Sequence, residues 1–133
     1  MAIFKKKIIF GCESRGDADS VYLTRYTLLS AFGRKLCLHI FHRSDADELH
    51  DHPWSFWTFI IWRGYLEHTP AGVRRVWPLT LHRRPATWRH RVELVGGKAA
   101  VTLVLLGRPH RIWGFWTTRG WVNWIKYFRD RGC

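Results

Sequence analysis

Residues 50–65, which read HDHPWSFWTFIIWRGY, decide the fold. The segment begins with two histidines, His50 and His52, which are separated by one residue. On an extended backbone residues i and i+2 point to the same side, so both imidazoles face one place and Asp51 faces away. The apolar run that follows, residues 55–65, is typical of a strand that is buried on both faces. This segment therefore predicts a core β-strand directly after one half of a metal site.

Strand signals continue along the rest of the chain. Besides 55–65, we predict strands at residues 22–30, 36–42, 73–77, 79–82, 90–95, 98–106, 111–117 and 121–128. Gly96 and Gly97 predict a two-residue hairpin between VELV and KAAVTLVLL. No segment has a sustained 3.6-residue period, so little helix is expected. Many short strands separated by glycine and proline turns predict an all-β sandwich or barrel.

Length and composition favour a single globular domain. The chain has 133 residues, of which 47% are hydrophobic and 24% are charged, and this composition excludes a disordered protein. We expect one domain over residues 1–133, with residues 1–20 as a loose N-terminal extension. No apolar run reaches the roughly 20 residues that span a bilayer, and the N-terminal apolar stretch is too short for a secretion signal. We therefore predict a cytoplasmic protein without a membrane segment.

The charge balance is strongly basic. Lysine and arginine number 22 against 10 aspartate and glutamate, which gives a formal net charge of +12 at pH 7. Such a surface either binds an anionic partner or serves only solubility, and net charge alone does not choose between the two.

The cysteines predict no disulfide framework. Cys12, Cys37 and Cys133 are odd in number and widely spaced, and no CxxC pair occurs. Cys37 is expected to be a small core residue. Cys133 is expected to be a free thiol.

A third histidine stands in a second informative segment, PATWRH at residues 85–90. His90 follows Pro85 by five residues, and Gly64 follows His52 by twelve. These residues and the histidine pair resemble the two motifs of the cupin superfamily, an HxH pair followed by a glutamate and a glycine, and a proline followed by a histidine. The chain departs from those motifs at four positions: Ser44, Trp57, Thr87 and Leu94. From about residue 21 onward it also resembles uncharacterised small single-domain cupin-like proteins of bacteria and phages.

The resemblance implies a single cupin-type double-stranded β-helix, that is, a jelly-roll barrel, with a divalent metal held inside it. Trp57 stands where the motif has its glutamate, so the implied ligands are His50, His52 and His90. Three neutral imidazoles suit an iron, zinc, nickel, copper or manganese ion, and the sequence does not choose among them. Such a site keeps coordination positions open for water, oxygen or a substrate.

Five further residues are candidates for the substrate pocket. The ring of Trp57 is expected to wall the pocket because it replaces a metal ligand. His39 and His42 have opposite parity on their strand, so at most one of them faces inward. Arg25 and Arg111 are candidates to hold a carboxylate or phosphate of the substrate.

An acidic stretch lies just before and inside the histidine pair. Its members are Asp45, Asp47, Glu48 and Asp51. The three aspartates are candidates to accept hydrogen bonds from the outer ring nitrogens of metal-binding histidines, and the stretch is also a candidate to supply a replacement oxygen ligand. A solvated turn is the simpler interpretation of the stretch, and we favour it.

Three functions are compatible with these observations. The first is a small metalloenzyme, dioxygenase-like or isomerase- or lyase-like, that acts on a small anionic molecule. The second is a non-enzymatic basic module that contacts nucleic acid or an acidic partner, since interleaved arginines and tryptophans are compatible with stacking on single strands. The third is a metal-free barrel that binds a sugar or another small molecule. A homodimer is also expected, because aromatic segments such as WVNWIKYF would otherwise expose apolar surface.

Overall fold

The structure is a computed structural model that describes residues 4–45 and 48–133. Within these ranges the chain forms twelve β-strands and one α-helix, α1 (Trp124–Arg131). The strands are β1 (Lys5–Phe10), β2 (Val21–Ala31), β3 (Arg34–Phe41), β4 (Leu49–His50), β5 (Phe56–Trp62), β6 (Tyr65–Thr69), β7 (Gly72–Val76), β8 (Leu81–Arg84), β9 (Arg91–Leu94), β10 (Ala100–Leu106), β11 (Gly114–Thr117) and β12 (Gly120–Asn123).

The strands form two layers of antiparallel sheet. The first sheet has the order β1-β2-β3-β10-β5-β8. The second layer consists of β12-β11-β4 and β7-β6-β9, and a backbone bridge between His50 and His90 joins its two halves. The predicted all-β jelly-roll fold is confirmed. Two of the three predicted metal ligands thus lie where the second layer is joined.

Side chains alternate across the first sheet, as the period of two requires. On β5, Phe56, Thr58 and Ile60 are buried inside the barrel, whereas Trp57 and Ile61 are exposed. The inner side chains of both layers form two apolar clusters: Ile60, Tyr65, Val76, Val92, Leu94 and Ala100 in one, and Cys37, Phe56, Val104 and Leu106 in the other. The expected core position of Cys37 is confirmed.

The long apolar run at residues 55–65 is not one strand. The chain turns at Arg63 and Gly64, where φ is 64° and 71°, and it continues as β6 in the other sheet. Only glycine fits the second of these positions, because a Cβ there would lie 2.0 Å from the carbonyl oxygen of Val76. Hydrophobicity alone could not reveal this break, because apolar residues occupy both faces of β5 and resume at Tyr65.

The predicted hairpin at Gly96 and Gly97 is wrong. The segment is a short 3-10 turn, and it connects β9 to β10, which belong to different sheets. Strand β9 pairs with β6, whereas β10 pairs with β3 and β5. The two glycines therefore carry the chain between layers rather than between neighbouring strands.

Both chain ends differ from the sequence-based expectation. Residues 5–10 are not a loose extension, because β1 pairs with β2 along its whole length. The predicted strand at residues 121–128 divides into β12 and helix α1. The helix begins after Asn123, whose side-chain oxygen accepts from the amide of Lys126 (3.0 Å), and it ends at the left-handed Gly132.

The expectation of a free Cys133 is wrong. Cys133 forms a disulfide with Cys12, and the neighbouring amide of Glu13 donates to the carbonyl of Gly132 (3.2 Å). The disulfide closes a loop of 121 residues and so ties the C-terminal helix to the N-terminal segment. Disulfides persist mainly in oxidising compartments and are rare in the cytosol. The disulfide therefore does not support the predicted cytoplasmic location, which stays a prediction.

We expect the double variant Cys12→Ser/Cys133→Ser to be less stable by about 2–4 kcal/mol, because the unfolded chain loses a long covalent loop. Urea unfolding of the variant, compared with the oxidised protein, measures the difference. The variant Cys37→Ser is not a suitable control, because that thiol is buried and its loss would itself disturb the core. The wild-type protein is therefore also measured with added reductant, which breaks the disulfide without any substitution. Equal stability of oxidised and reduced protein would contradict the assignment.

No helix in the described ranges is both long and apolar enough to cross a membrane.

Candidate metal centre

The structure brings His50, His52 and His90 together. One ligand nitrogen of each lies within 4.8 Å of the others, so the three could hold a metal ion. The ring centroids are 5.1 Å apart for His50–His52 and 4.9 Å apart for the other two pairs. His52 and His90 are each 6% exposed, and metal binding by the cluster stays a prediction.

Backbone hydrogen bonds fix the three positions. The amide of His50 donates to the carbonyl of His90 (2.9 Å), and the amide of His90 donates back to the carbonyl of His50 (3.0 Å). The amide of His52 donates to the carbonyl of Ala86 (3.0 Å). Both imidazoles of the pair face the same cluster, as the spacing predicted.

The ring nitrogens of the three histidines have unequal partners. Nδ1 of His90 donates to Oε2 of Glu67 (2.7 Å), which leaves Nε2 for the cluster. Nδ1 of His50 lies 3.7 Å from Oδ2 of Asp45. Nδ1 of His52 is buried without a hydrogen-bond partner in the described part of the chain. An orphaned buried nitrogen in a group of three imidazoles fits a transition-metal site.

Burial keeps the histidine pair neutral. It lowers the pKa of His50 to about 4, against the opposing charge of Asp45. It also lowers the pKa of His52 well below the usual value, and the neighbouring histidines add to this effect. Neutral imidazoles keep the lone pair that a metal ion requires.

Glu67 supports the cluster from β6, and the sequence analysis missed it. Its carboxylate is 1% exposed and accepts hydrogen bonds from His90, from Arg84 (2.8 Å) and from the indole of Trp88 (3.2 Å). Burial by itself would raise the pKa of Glu67, but the hydrogen bonds from His90 and Arg84 prevail and lower it to about 2. Trp57 stands at the motif position of the glutamate, and Glu67 lies ten residues further along the chain. Glu67 accepts a hydrogen bond from one of the three histidines.

Two acids of the acidic stretch are buried, so the favoured interpretation as a solvated turn is wrong for them. Asp45 is 6% exposed and accepts from the amide of Val92 (2.7 Å) beside His50. Asp51 is 1% exposed and accepts from the amide of Gly114 (2.7 Å). Asp51 faces away from the imidazoles, as predicted, and stabilises the loop rather than a ring nitrogen. Asp47 lies outside the described residues.

Arg111 lies beside the cluster but is engaged with the backbone. Its guanidinium donates to the carbonyl of His52 (2.9 Å) and forms a salt bridge with Asp51 (3.2 Å). Because both contacts hold the chain around the histidine pair, Arg111 positions the pair, and its guanidinium is not free for a substrate.

Trp57 does not wall the site. Its side chain is 44% exposed on the outer face of β5, opposite Phe56, whose ring lies 4.7 Å from that of His52. The aromatic rings that surround the cluster are Trp54, Phe56, Trp113 and Phe115, with centroids 4.7–6.2 Å from a histidine. The parity of β5 decides this outcome, and the motif comparison did not account for it.

The remaining pocket candidates, His39, His42 and Arg25, have other hydrogen-bond partners than the three imidazoles. His42 is exposed at the end of β3 and contacts the hydroxyl of Thr24 (2.9 Å). His39 faces inward and is 5% exposed, so of the two only His39 lies in the interior. Nε2 of His39 accepts from Nε of Arg25 (3.0 Å). Arg25 on β2 and His39 on β3 are therefore hydrogen-bonded to each other.

We expect His39 to make the fold acid-sensitive. Burial and the nearby charge of Arg25 lower its pKa to about 3, against about 6.5 in the unfolded chain. The unfolded state therefore binds the extra proton, and stability is lost as pH falls below 6.5 towards 3. Between pH 7.5 and 5 the metal-free protein should lose about 2 kcal/mol more than the variant His39→Gln, as measured by urea unfolding. If the free energy of unfolding of the two proteins fell by the same amount between these pH values, the assignment of a neutral buried His39 would be wrong.

Comparisons with known proteins show the class of fold. No family model matches the chain, and no curated protein matches its sequence. Solved structures do match. A cupin 2 conserved barrel domain protein from Rhodopseudomonas palustris superposes with a TM-score of 0.65 at 11% identity, over 96% of this chain and 84% of that one. A cupin-2 domain protein from Rhodospirillum rubrum gives 0.62 at 16% identity, over 82% and 72%.

A sugar phosphate isomerase of the cupin superfamily from Silicibacter pomeroyi is also similar, with a TM-score of 0.56 at 13% identity, over 77% of this chain and 75% of that one. The chain therefore has the cupin fold, as the histidine and glycine spacing indicated. At these identities the likeness defines the fold, and the activity has to be argued from the site.

Proposed function

We propose that the protein is a small metal-dependent enzyme that holds a divalent transition metal at His50, His52 and His90 and acts on a small anionic substrate. The observation that carries the proposal is the convergence of three buried imidazoles, with ligand nitrogens within 4.8 Å of one another. When bound, the metal would act as a Lewis acid on an oxygen of the substrate. The donor set suits iron, zinc, nickel, copper or manganese.

The charges around the site favour an anion. Three neutral imidazoles leave the charge of a divalent ion uncompensated by its ligands. Among the buried acids nearby, Glu67 is paired with Arg84 and Asp51 with Arg111, whereas Asp45, 3.7 Å from His50, has no arginine or lysine partner among the described residues. The single charge of Asp45 does not balance a divalent ion. An anionic group on the substrate would supply the missing negative charge.

The aromatic surroundings favour a small substrate held away from water. Trp54 and Phe56 pack on His52, whereas Trp113 and Phe115 pack near His50. Such rings lower the local dielectric and strengthen electrostatic contacts with a bound ligand. Thr102 on β10 adds a buried hydroxyl that has no hydrogen-bond partner among the described residues, so it is a free group inside the barrel.

Of the two reaction classes expected from the sequence, we favour the isomerase- or lyase-like one. The sugar phosphate isomerase with this fold acts on a small anionic molecule, as its name states. The same class requires only that an oxygen of the substrate be polarised and that a proton be moved.

The deciding experiment is elemental analysis of protein purified without a histidine tag. We expect about one equivalent of a divalent transition metal per chain, removed by a chelator and restored by refeeding. Refed protein should then be assayed with phosphorylated sugars for isomerisation. Protein that takes up no metal after refeeding would contradict the metal site, whereas metal without turnover would contradict only the enzymatic part.

We also propose a homodimer through the outer face of the first sheet. Ten outward side chains on β3, β10, β5 and β8 are apolar: Leu36, Leu38, Ile40, Val101, Leu103, Leu105, Trp57, Phe59, Ile61 and Leu81. Antiparallel sheets usually keep one face polar, so this face is unusual for a surface in water. Two chains of net charge +12 repel each other, and the ten uncharged side chains let them approach with less repulsion than a basic surface would, although the exposed Arg83 lies beside Trp57 on this face. A second copy is therefore the favoured occupant.

Leu105→Lys, at a position that is 42% exposed, should convert the dimer to a monomer in sedimentation velocity. The buried charge at the interface would have no partner. Ile112→Lys, at a 65% exposed position in the loop before β11, should leave the dimer intact. A wild-type monomer at micromolar concentration would refute the dimer.

A further inference from the structure

One end of the barrel carries a cationic pocket that is separate from the histidine cluster. Its volume is about 240 Å³, and it is lined by Arg63, Arg75, Val95, Gly96 and Lys98. The pocket lies beyond Trp62, the last residue of β5, whereas Phe56 at the first residue contacts His52. Six residues of strand at about 3.3 Å each place the two ends on the order of 20 Å apart.

The described residues place no carboxylate in a salt bridge with this pocket. In the portion of the chain that the structure describes, Arg63, Arg75 and Lys98 take part in no salt bridge. By contrast, the two arginines beside the histidine cluster are both paired with an acid, Arg84 with Glu67 and Arg111 with Asp51. Three cationic side chains around one cavity without a counter-charge create a field that attracts an anion.

Arg75 carries a donor that lacks an acceptor. Its Nη2 donates to the carbonyl of Arg63 (2.6 Å), so the guanidinium is held in place. Its Nη1 is buried and has no hydrogen-bond partner in residues 4–45 and 48–133. Buried donors are normally satisfied, and a phosphate oxygen is the acceptor that a guanidinium prefers. Arg75 therefore lines the pocket with a fixed guanidinium that still has an unused donor.

Two exposed indoles adjoin the pocket. Trp62 is 58% exposed and Trp77 is 61% exposed, so neither ring serves the core. The guanidinium of Arg63 lies 5.6 Å from the ring of Trp62, and that of Arg75 lies 4.6 Å from the ring of Trp77. Each ring thus contacts one arginine and still exposes more than half of its side chain, and exposed aromatic rings beside cations are the combination that binds bases and phosphates of single strands together.

We propose that the Arg63–Arg75–Lys98 pocket binds a backbone phosphate of single-stranded nucleic acid, and that Trp62 and Trp77 stack on the adjoining bases. A duplex would hide its bases from the indoles. An acidic peptide would occupy the cationic pocket but would give the two rings no flat partner. The site does not depend on the metal, so it gives the protein a second binding function.

The test uses fluorescence anisotropy with a fluorescein-labelled ten-nucleotide thymidine strand and the full-length protein. The variant Arg63→Asn/Lys98→Gln removes two charges and keeps Arg75, and asparagine tolerates the positive φ of position 63. We expect it to weaken binding at least about tenfold and to lower the slope of log Kd against log salt by about 1 to 2. The control Arg34→Gln/Lys35→Gln removes two exposed charges at the start of β3 and should change Kd less than about threefold.

A second pair of variants separates stacking from charge. Trp62→Leu/Trp77→Leu should weaken binding about tenfold or more without altering the salt slope. His50→Ala/His52→Ala should bind the strand like the wild type. Circular dichroism melts verify that each variant is folded.

Three results would overturn the proposal. Equal weakening by both charge pairs would mean that overall charge alone attracts the strand. Competition by thymidine monophosphate or inorganic phosphate at concentrations as low as those of the unlabelled strand would mean that the pocket binds only a single phosphate. Duplex DNA that binds as tightly as the single strand would exclude stacking by the two indoles.

Discussion

Replacing His50 and His52 by alanine together is expected to abolish stoichiometric metal binding. The variant lacks two of the three imidazoles whose ligand nitrogens lie within 4.8 Å of one another. His90 alone cannot hold a divalent ion in competition with water and buffer. Elemental analysis of the refed variant should show less than about a tenth of the wild-type metal, and any activity of the wild type should be lost with it.

A matched control separates this loss from a general effect of removing histidines. His68 and His110 lie outside the cluster, the first bonded to Glu93 and the second exposed in a loop. The variant His68→Ala/His110→Ala should retain the full metal content. If both double variants lose metal equally, the ion was bound by surface histidines, and the proposed centre is wrong.

The second large effect is expected at Glu67. Leucine at this position would leave the guanidinium of Arg84, which is 8% exposed, buried without its counter-charge. Removing one partner of a buried ion pair costs about 3–5 kcal/mol. The melting temperature of Glu67→Leu should therefore fall on the order of 10–20 °C.

The double variant Glu67→Leu/Arg84→Met tests the cause. It removes both charges, so it should be more stable than Glu67→Leu alone, although Nδ1 of His90 still lacks its acceptor. Glu67→Gln keeps an acceptor oxygen and should fold, but its metal affinity should fall about 10–100-fold. A double variant as unstable as the single one would show that the pairing with Arg84 is not the source of the loss.

The sequence was sufficient for the features that depend on local periodicity. The alternation of side chains along an extended backbone predicted that His50 and His52 share one face and that Asp51 faces away. The same period of two identified most strands and the class of fold. Motif spacing identified Gly64, whose position admits no Cβ against the carbonyl of Val76.

Local patterns did not reveal where the layers separate. Apolar residues resume at Tyr65 directly after Arg63 and Gly64, so the pattern does not show that β5 and β6 belong to different sheets. The glycine pair at 96 and 97 has the composition of a hairpin, yet the strands on either side pair with other partners. Trp57 was placed by comparison with a motif, whereas the parity of β5 turns its ring outward.

What the sequence by itself determined is therefore the all-β class, the inward pair of imidazoles and the third histidine that belongs with them. Only the tertiary structure decided that Glu67 bonds to His90, that Asp45 and Asp51 are buried, and that Cys12 meets Cys133. The physical reason is the distance along the chain over which each feature is determined. Side-chain direction along a strand follows from the backbone of a few neighbouring residues, whereas contacts between distant segments exist only after two layers have packed and selected their register.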